Sequence, residues 1–186
     1  MKLKGEKITL KSPSIFDYKN LQKDIRSDDI LKSVSIFKHP NADSEGFRRT
    51  IDFLADFLSG RRKYFVIAPI NVKKAVGVIN LSSIDWINKN AQIGYWIGKE
   101  HWGKGYATEA IKLVLKYGFE NMGLHKIYAT VFEENIGSKK VLEKNGFCFE
   151  GIKIKEELKY GDPKDLHSYY ILQSKYLAER KQFKNV

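Results

Sequence analysis

Near residue 107 the spacing of apolar side chains changes from two to three and four, and this switch restricts the available folds more than any other feature of the chain. Ala107, Ala110, Ile111, Val114, Leu115, Gly118 and Met122 fall on one face of a helix. Upstream, Tyr64 to Ala68, Ala75 to Leu81 and Ala91 to Ile97 are short runs that read as three consecutive strands. Downstream, His125 to Phe132 reads as a strand and 136–145 as a short helix stopped by Gly146. Phe147 to Glu157 and Ser168 to Gln173 read as closing strands. Three strands before the first crossover helix favour a mixed sheet over a doubly wound parallel one, giving an α+β fold.

Ahead of that sheet, Ile8 to Leu10 reads as a strand, and Ser12 to Ser14 offer caps for a helix through Tyr18, Leu21 and Ile25. Asn41 to Ser44 precede a second helical pattern at Phe47, Ile51, Leu54 and Leu58, stopped at Gly60. The 186 residues suit one domain, expected over 1–175 with a polar C-terminal tail at 176–186. Met1 to Lys7 is too polar for a signal peptide and no apolar run approaches ~18 residues, so a cytoplasmic protein without membrane contact is expected. The single cysteine, Cys148, lies in Phe147-Cys148-Phe149, which reads as a buried strand with a core thiol. No Cys or His spacing suits zinc, and no metal is expected.

Trp102-Gly103-Lys104-Gly105-Tyr106-Ala107 lies where the last of the three strands passes into the long helix. Two glycines permit backbone conformations closed to other residues and close approach of a ligand. Such a turn gathers N–H groups into one concavity, and the helix start adds unsatisfied donors and the positive end of its dipole. The arrangement suits a pyrophosphate, with Lys104 adding charge at the rim. It matches neither the P-loop nor the dinucleotide fingerprint, and a tight structural turn would use the same residues.

The stretch from Ile93-Gly94-Tyr95-Trp96-Ile97 through Trp102 to Ala110 resembles motif A of the GNAT acetyltransferase superfamily. Asn135-Ile136-Gly137-Ser138 through Gly146-Phe147 resembles its motif B in the form used by the RimJ/RimL-like branch. The resemblance implies a GNAT acyl-CoA N-acyltransferase fold, with a mixed, mostly antiparallel sheet and helices on both faces. It implies acetyl-CoA as cosubstrate and a primary amine as acceptor, attacked directly without a metal. Trp96 and Ile97 would pair with the pantetheine arm. Trp102, Gly103, Lys104, Gly105, Tyr106 and Ala107 would hold the pyrophosphate, and Asn135 would contact the arm or cap its helix.

The chain departs from the wider pattern at three places: Trp102 opens the loop, Leu142 stands where many members carry a tyrosine acid, and Gln92 replaces a common glutamate. With Leu142 unable to donate a proton, the resemblance points to Ser138 as the group that serves the departing thiolate; capping its helix is the alternative. Glu157 is the matching candidate for a base acting through water. Glu100, Asp165 and His167 are further candidates, and Glu156 faces away from Glu157 on a regular strand. Each could equally be a solvated side chain.

The resemblance places the acceptor among protein or peptide N-termini, with ribosomal proteins as the usual example, and small amines such as polyamines or aminoglycosides as the alternative. A formal net charge of +11 makes the chain a poor magnet for polycations unless its acceptor cleft is locally acidic. Trp86, Tyr160, Tyr169 and Tyr170 are candidates to line that cleft or fill the core. The charge also suits RNA, although the lysines are dispersed and no specific nucleic acid is expected. A catalytically inactive acyl-CoA-binding module is the remaining alternative. Exposed edge strands in this architecture would permit a homodimer.

Overall fold

A computed structural model of the protein describes residues 1–14, 16, 17, 21, 24, 27, 30, 62–72 and 74–182. The expected helical positions Tyr18 and Ile25, the Asn41 to Ser44 cluster, and the pattern from Phe47 to Leu58 with its stop at Gly60 lie outside the described residues.

Eight strands are described: Lys2–Lys4 (β1), Ile8–Lys11 (β2), Lys63–Pro69 (β3), Gly77–Asp85 (β4), Asn90–Ile97 (β5), Lys126–Phe132 (β6), Cys148–Lys159 (β7) and Asp162–Leu172 (β8). They form one sheet in the order β1-β2-β3-β4-β5-β6-β8-β7. Neighbours are antiparallel except β5 and β6, which are parallel. The described helices are Tyr106–Lys116 (α1), Ile136–Glu143 (α2) and Gln173–Gln182 (α3). The α+β fold with a mixed sheet is therefore the one expected.

Strand alternation divides the core between the two faces of the sheet. Phe65, Ile67, Ile79, Leu81 and Ile93 pack with Ala110, Ile111, Val114 and Leu115 of α1. Tyr64, Val66, Val78 and Trp96 face the other way and are covered by Leu21 and Ile30. Each such large apolar side chain contributes roughly 1.5–3 kcal/mol on burial. This packing fixes α1 across β2 to β5, so the loop that begins it is held at the end of β5.

Several elements differ from expectation, each for a physical reason. Lys2–Lys4 forms a strand because its backbone pairs with β2, whatever its polar side chains. The turn after β1 is tied to α1: the Glu109 carboxylate accepts the N–H groups of Glu6 and of Lys7, the latter at 3.1 Å. Helix α1 passes into a π-helical turn, Tyr117–Asn121. β8 begins at Asp162 rather than Ser168, since an edge-side partner tolerates Pro163.

The boundary expected at residue 175 falls inside α3. Tyr176 packs on Phe119 with ring centroids 5.1 Å apart, Gln173 Nε2 donates to the Phe119 carbonyl at 3.0 Å, and Arg180 pairs with Glu120. Phe147-Cys148-Phe149 is not wholly buried. β7 is an edge strand, Phe149 is 52% exposed, and Cys148 is half-buried with Lys175 Nζ 3.2 Å from its sulfur.

Candidate functional site

β5 and β6 pair over only Asn90–Gln92 and Lys126–Tyr128. Beyond these residues β5 stays with β4 as far as Ile97, and β6 stays with β8 as far as Phe132. The carboxyl ends of the two parallel strands therefore diverge, and the crevice outside such ends is where ligands bind in open sheets containing parallel strands. At the apex Gln92 Nε2 donates to Thr130 Oγ1 at 3.0 Å. On the β4 side a bulge between Ser82 and Asp85 holds Ser83 at φ 48°, a displacement of the kind that re-aims side chains beside sites.

The fork opens a cavity of about 810 Å³, within the ~300–1,000 Å³ typical of small-molecule sites. Its floor is the end of β5, its far wall is α2, and the glycine loop closes one end. Gly103 and Gly105 have φ values of 73° and 79°, which a side chain would resist. A Cβ at Gly103 would meet nothing within 4 Å, and the helix begun by Gly105 has no side-chain cap. The first-turn donors of α1 are thus left to whatever occupies the loop. Trp102 Nε1 donates to the Ile97 carbonyl at 2.6 Å and ties the loop to the end of β5. The Lys7 ammonium comes to 3.5 Å from where a Gly105 Cβ would stand. This cradle of backbone donors and cations fits a pyrophosphate.

Asn135 caps α2, its Oδ1 accepting the Ser138 N–H at 3.0 Å. Ser138 Oγ lies 2.7 Å from the Tyr95 hydroxyl, which also reaches the Ser138 carbonyl at 3.3 Å. Burial pushes the Tyr95 phenol up to about 12, against the opposing effect of its bond to Ser138. Leu142, one turn on, is fully buried in the core.

Trp96, Ile97, Trp102, Gly103, Gly105, Tyr106, Ala107, Asn135 and Ser138 all line this one cavity; Lys104 is exposed on the same loop and does not. Glu157 does not line it either, because β8 and β6 stand between β7 and the fork. It is half-buried opposite Lys164. Lys155, at φ 47°, breaks the alternation just before it, so Glu156 points to solvent beside Lys153. Asp165 accepts the Lys155 N–H at 2.7 Å, and His167 lies against Phe149 with ring centroids 5.3 Å apart. Glu100 is exposed on a short 3-10 turn, Lys99–His101. None of these three carboxylate or imidazole groups lines the cavity.

Trp86 and Tyr160 are exposed and Tyr169 is core; neither they nor Tyr170 line the cavity. The charged and titratable residues that do line it include Arg62, His101, Glu134 and Lys144. Sequence reasoning did not single these out, nor Tyr95. Tyr95 carried a signal, a polar tip on a strand one step before the glycine loop. Arg62 and Lys144 are brought in by elements remote in sequence. Lys159 is buried, with its ammonium 3.9 Å from the Phe132 ring centre. Burial lowers its pKa, and Glu134 and Glu157 oppose that shift.

Among the described residues no group of His, Cys, Asp and Glu could hold a metal, and no helix is long and apolar enough to cross a membrane. Residues 7–148 match the family model for the acetyltransferase (GNAT) domain. An uncharacterized N-acetyltransferase, p20, of Bacillus licheniformis is 31% identical over 172 residues, 92% of this chain and 96% of that protein. The crystal structure of spermidine N-acetyltransferase from Vibrio cholerae in complex with CoA and spermine superposes with a TM-score of 0.80 at 28% identity, covering 93% of this chain and 99% of that one. The ribosomal L7/L12 alpha-N-protein acetyltransferase RimL, in complex with coenzyme A, shares the fold with a TM-score of 0.80 at 19% identity, over 92% of this chain and 98% of that one.

Proposed function

Because the chain belongs to the GNAT acetyltransferase family and is an N-acetyltransferase, we propose that it moves the acetyl group of acetyl-CoA to the α-amine of a protein or peptide, in the manner of the RimJ/RimL-like branch. The observation that carries the acceptor choice is the charge of the cavity wall. Among the described residues that line it, Glu134 is the one carboxylate. A polyamine brings several ammonium groups to that one carboxylate, whereas a peptide end brings one amine and carbonyl acceptors. An α-amino group, with a pKa near ~8, also needs little help to become neutral, unlike an alkylammonium near ~10. With Glu157 remote from the cavity, positioning supplies most of the acceleration.

Under this reading the loop amides from Gly103 to Ala107 hold the coenzyme pyrophosphate, and the run of β5 around Trp96 and Ile97, open on its β6 side, takes the pantetheine arm. Asn135 orients the start of α2. Ser138 faces the sulfur, and Glu134 attracts the acceptor ammonium before it loses its proton to water. A partner protein, such as a ribosomal protein, would present only its N-terminus to the fork.

A polyamine acceptor is the second reading, supported by the likeness to the spermidine enzyme over nearly the whole chain. Thiol release from acetyl-CoA decides between them, with short peptides bearing free or blocked N-termini and with spermidine. Turnover of free-ended peptides with a higher kcat/KM than spermidine is expected. A higher kcat/KM for spermidine, or equal turnover of blocked peptides, would overturn the α-amine assignment.

A further inference from the structure

The position on α2 from which many family members present a tyrosine hydroxyl is filled here by the buried Leu142. A phenol nevertheless enters the same cavity from its β5 floor. Tyr95 and Ser138 both line the fork, and their oxygens are 2.7 Å apart. The phenol has one proton and two acceptors in reach, Ser138 Oγ and the Ser138 carbonyl at 3.3 Å. The serine hydroxyl also has one proton, which it can give either to Tyr95 or into the cavity.

We infer that Tyr95 is a positioning residue for acetyl transfer: its hydroxyl donates to Ser138 Oγ when negative charge grows on sulfur, which frees the serine proton to point at that charge. The inference rests on the acetyl-CoA reading above. Nitrogen forms its bond to the acetyl carbon, the carbon–sulfur bond breaks, and that electron pair goes to sulfur. The nitrogen gives up one proton to solvent and the sulfur later takes one from solvent, so protons balance. Ser138 contributes a hydrogen bond and keeps its proton, because a serine alkoxide is far more basic than a thiolate.

In the resting enzyme the phenol proton can sit on the carbonyl. A thiolate beside Ser138 favours the chain Tyr95 to Ser138 to sulfur, since hydrogen bonds in series reinforce one another. The pair thus stabilises the late charge more than the neutral thioester, which is the requirement for raising kcat. Burial keeps the phenol protonated, with a pKa of about 12, so it remains a donor throughout the working range.

Binding of CoA and of acetyl-CoA, measured by calorimetry across pH, tests this without an acceptor. Arg62, His101, Tyr106, Glu134 and Lys144 line the same cavity. Acetyl-CoA has no thiol, so its binding reports any titration of those groups. The parent should favour CoA over acetyl-CoA increasingly as pH rises from about 7 to about 9.5, gaining about ten-fold for each unit by which the bound thiol pKa is lowered. Tyr95→Phe should reduce that gain to less than about three-fold while leaving acetyl-CoA affinity within about two-fold of the parent. Ser138→Ala should abolish the gain from the other side, and it serves equally should Tyr95→Phe fold poorly.

In turnover with any accepted amine, Tyr95→Phe should lower kcat about ten-fold with KM for acetyl-CoA nearly unchanged, and should add less than about two-fold in a Ser138→Ala background. An equal loss in both backgrounds, or parallel weakening of CoA and acetyl-CoA, would overturn the inference. So would a parent that binds both coenzymes with one pH course, and that result leaves the acetyl-CoA reading standing. A folded parent that binds neither coenzyme would overturn that reading and the inference with it.

Discussion

The glycine loop proposed to hold the coenzyme can be tested one atom at a time, because two glycines of the chain carry the same strain in different places. Gly103 and Gly123 have φ values of 73° and 67°, and a Cβ at either meets nothing within 4 Å. Replacing each with alanine should cost a similar ~1 kcal/mol in stability, read by urea denaturation. Only Gly103→Ala should weaken acetyl-CoA, by at least about ten-fold in Kd, because only there does the added methyl stand between the ligand and the backbone donors. A second residue-scale test lies at Ser14 and Asp17, after β2. Ser14 and Asp17 form a reciprocal cap, with the Asp17 carboxylate accepting the Ser14 N–H and hydroxyl at 3.0 and 2.6 Å. Burial works to raise the Asp17 pKa, but the bonds from Ser14 and the Lys11 ammonium 2.9 Å away outweigh it and hold it below 3.8. A depressed carboxylate pKa means stability present above the unfolded value and lost as pH falls through the folded one. Asp17→Asn should therefore cost about 1–3 kcal/mol at neutral pH, and the difference should shrink once pH drops below 3.8.

The fork apex makes an element-scale prediction. The Gln92 to Thr130 bond joins β5 to β6 where their ladder ends. Thr130→Val alone leaves the Gln92 amide without that acceptor and should destabilise the fold by about 1–2 kcal/mol, whereas Gln92→Leu added to it should recover part of the loss. Thermal denaturation of the two single variants and the double variant gives the coupling directly. Elements were legible in the sequence where side chains report their surroundings. The period of α1, the β-branched run of β6, the Ser14 cap and the glycine loop all belong to this class. Elements held by backbone pairing alone were not legible: β1 shows only lysines around Leu3, and the first half of β8 reads as a polar loop with a proline. Pairs formed across the chain were invisible for the same reason. Nothing near Glu109 announces that its carboxylate will anchor Glu6 and Lys7, and nothing near Glu157 shows that two strands will stand between it and the fork. The Tyr95 and Ser138 contact needed both motifs to be placed in space before either residue had a partner.

At the scale of the whole molecule, α3 returns the end of the described chain to the sheet and covers Phe119, a buried residue of the π-helical turn that follows α1. Ending the chain at Leu172 should expose that ring, remove the Gln173, Tyr176 and Arg180 contacts to Phe119 and Glu120, and lower Tm by several degrees, since about 1 kcal/mol moves Tm by ~2–4 °C in a chain of this size. The coenzyme site should suffer only indirectly, so acetyl-CoA affinity of the folded fraction should stay close to that of the full chain. The parting of β5 from β6 has a wider consequence. A sheet interrupted in its middle has two interior edges that face no neighbouring strand, an arrangement that folded proteins otherwise cover or blunt. On the proposed function, the pantetheine arm, with its own amide groups, bridges that gap as a borrowed strand. Substrate binding then completes the architecture as well as starting the reaction. Amide hydrogen exchange along 93–97 should slow when acetyl-CoA is present, while β2 and β3 keep the protection they had without it.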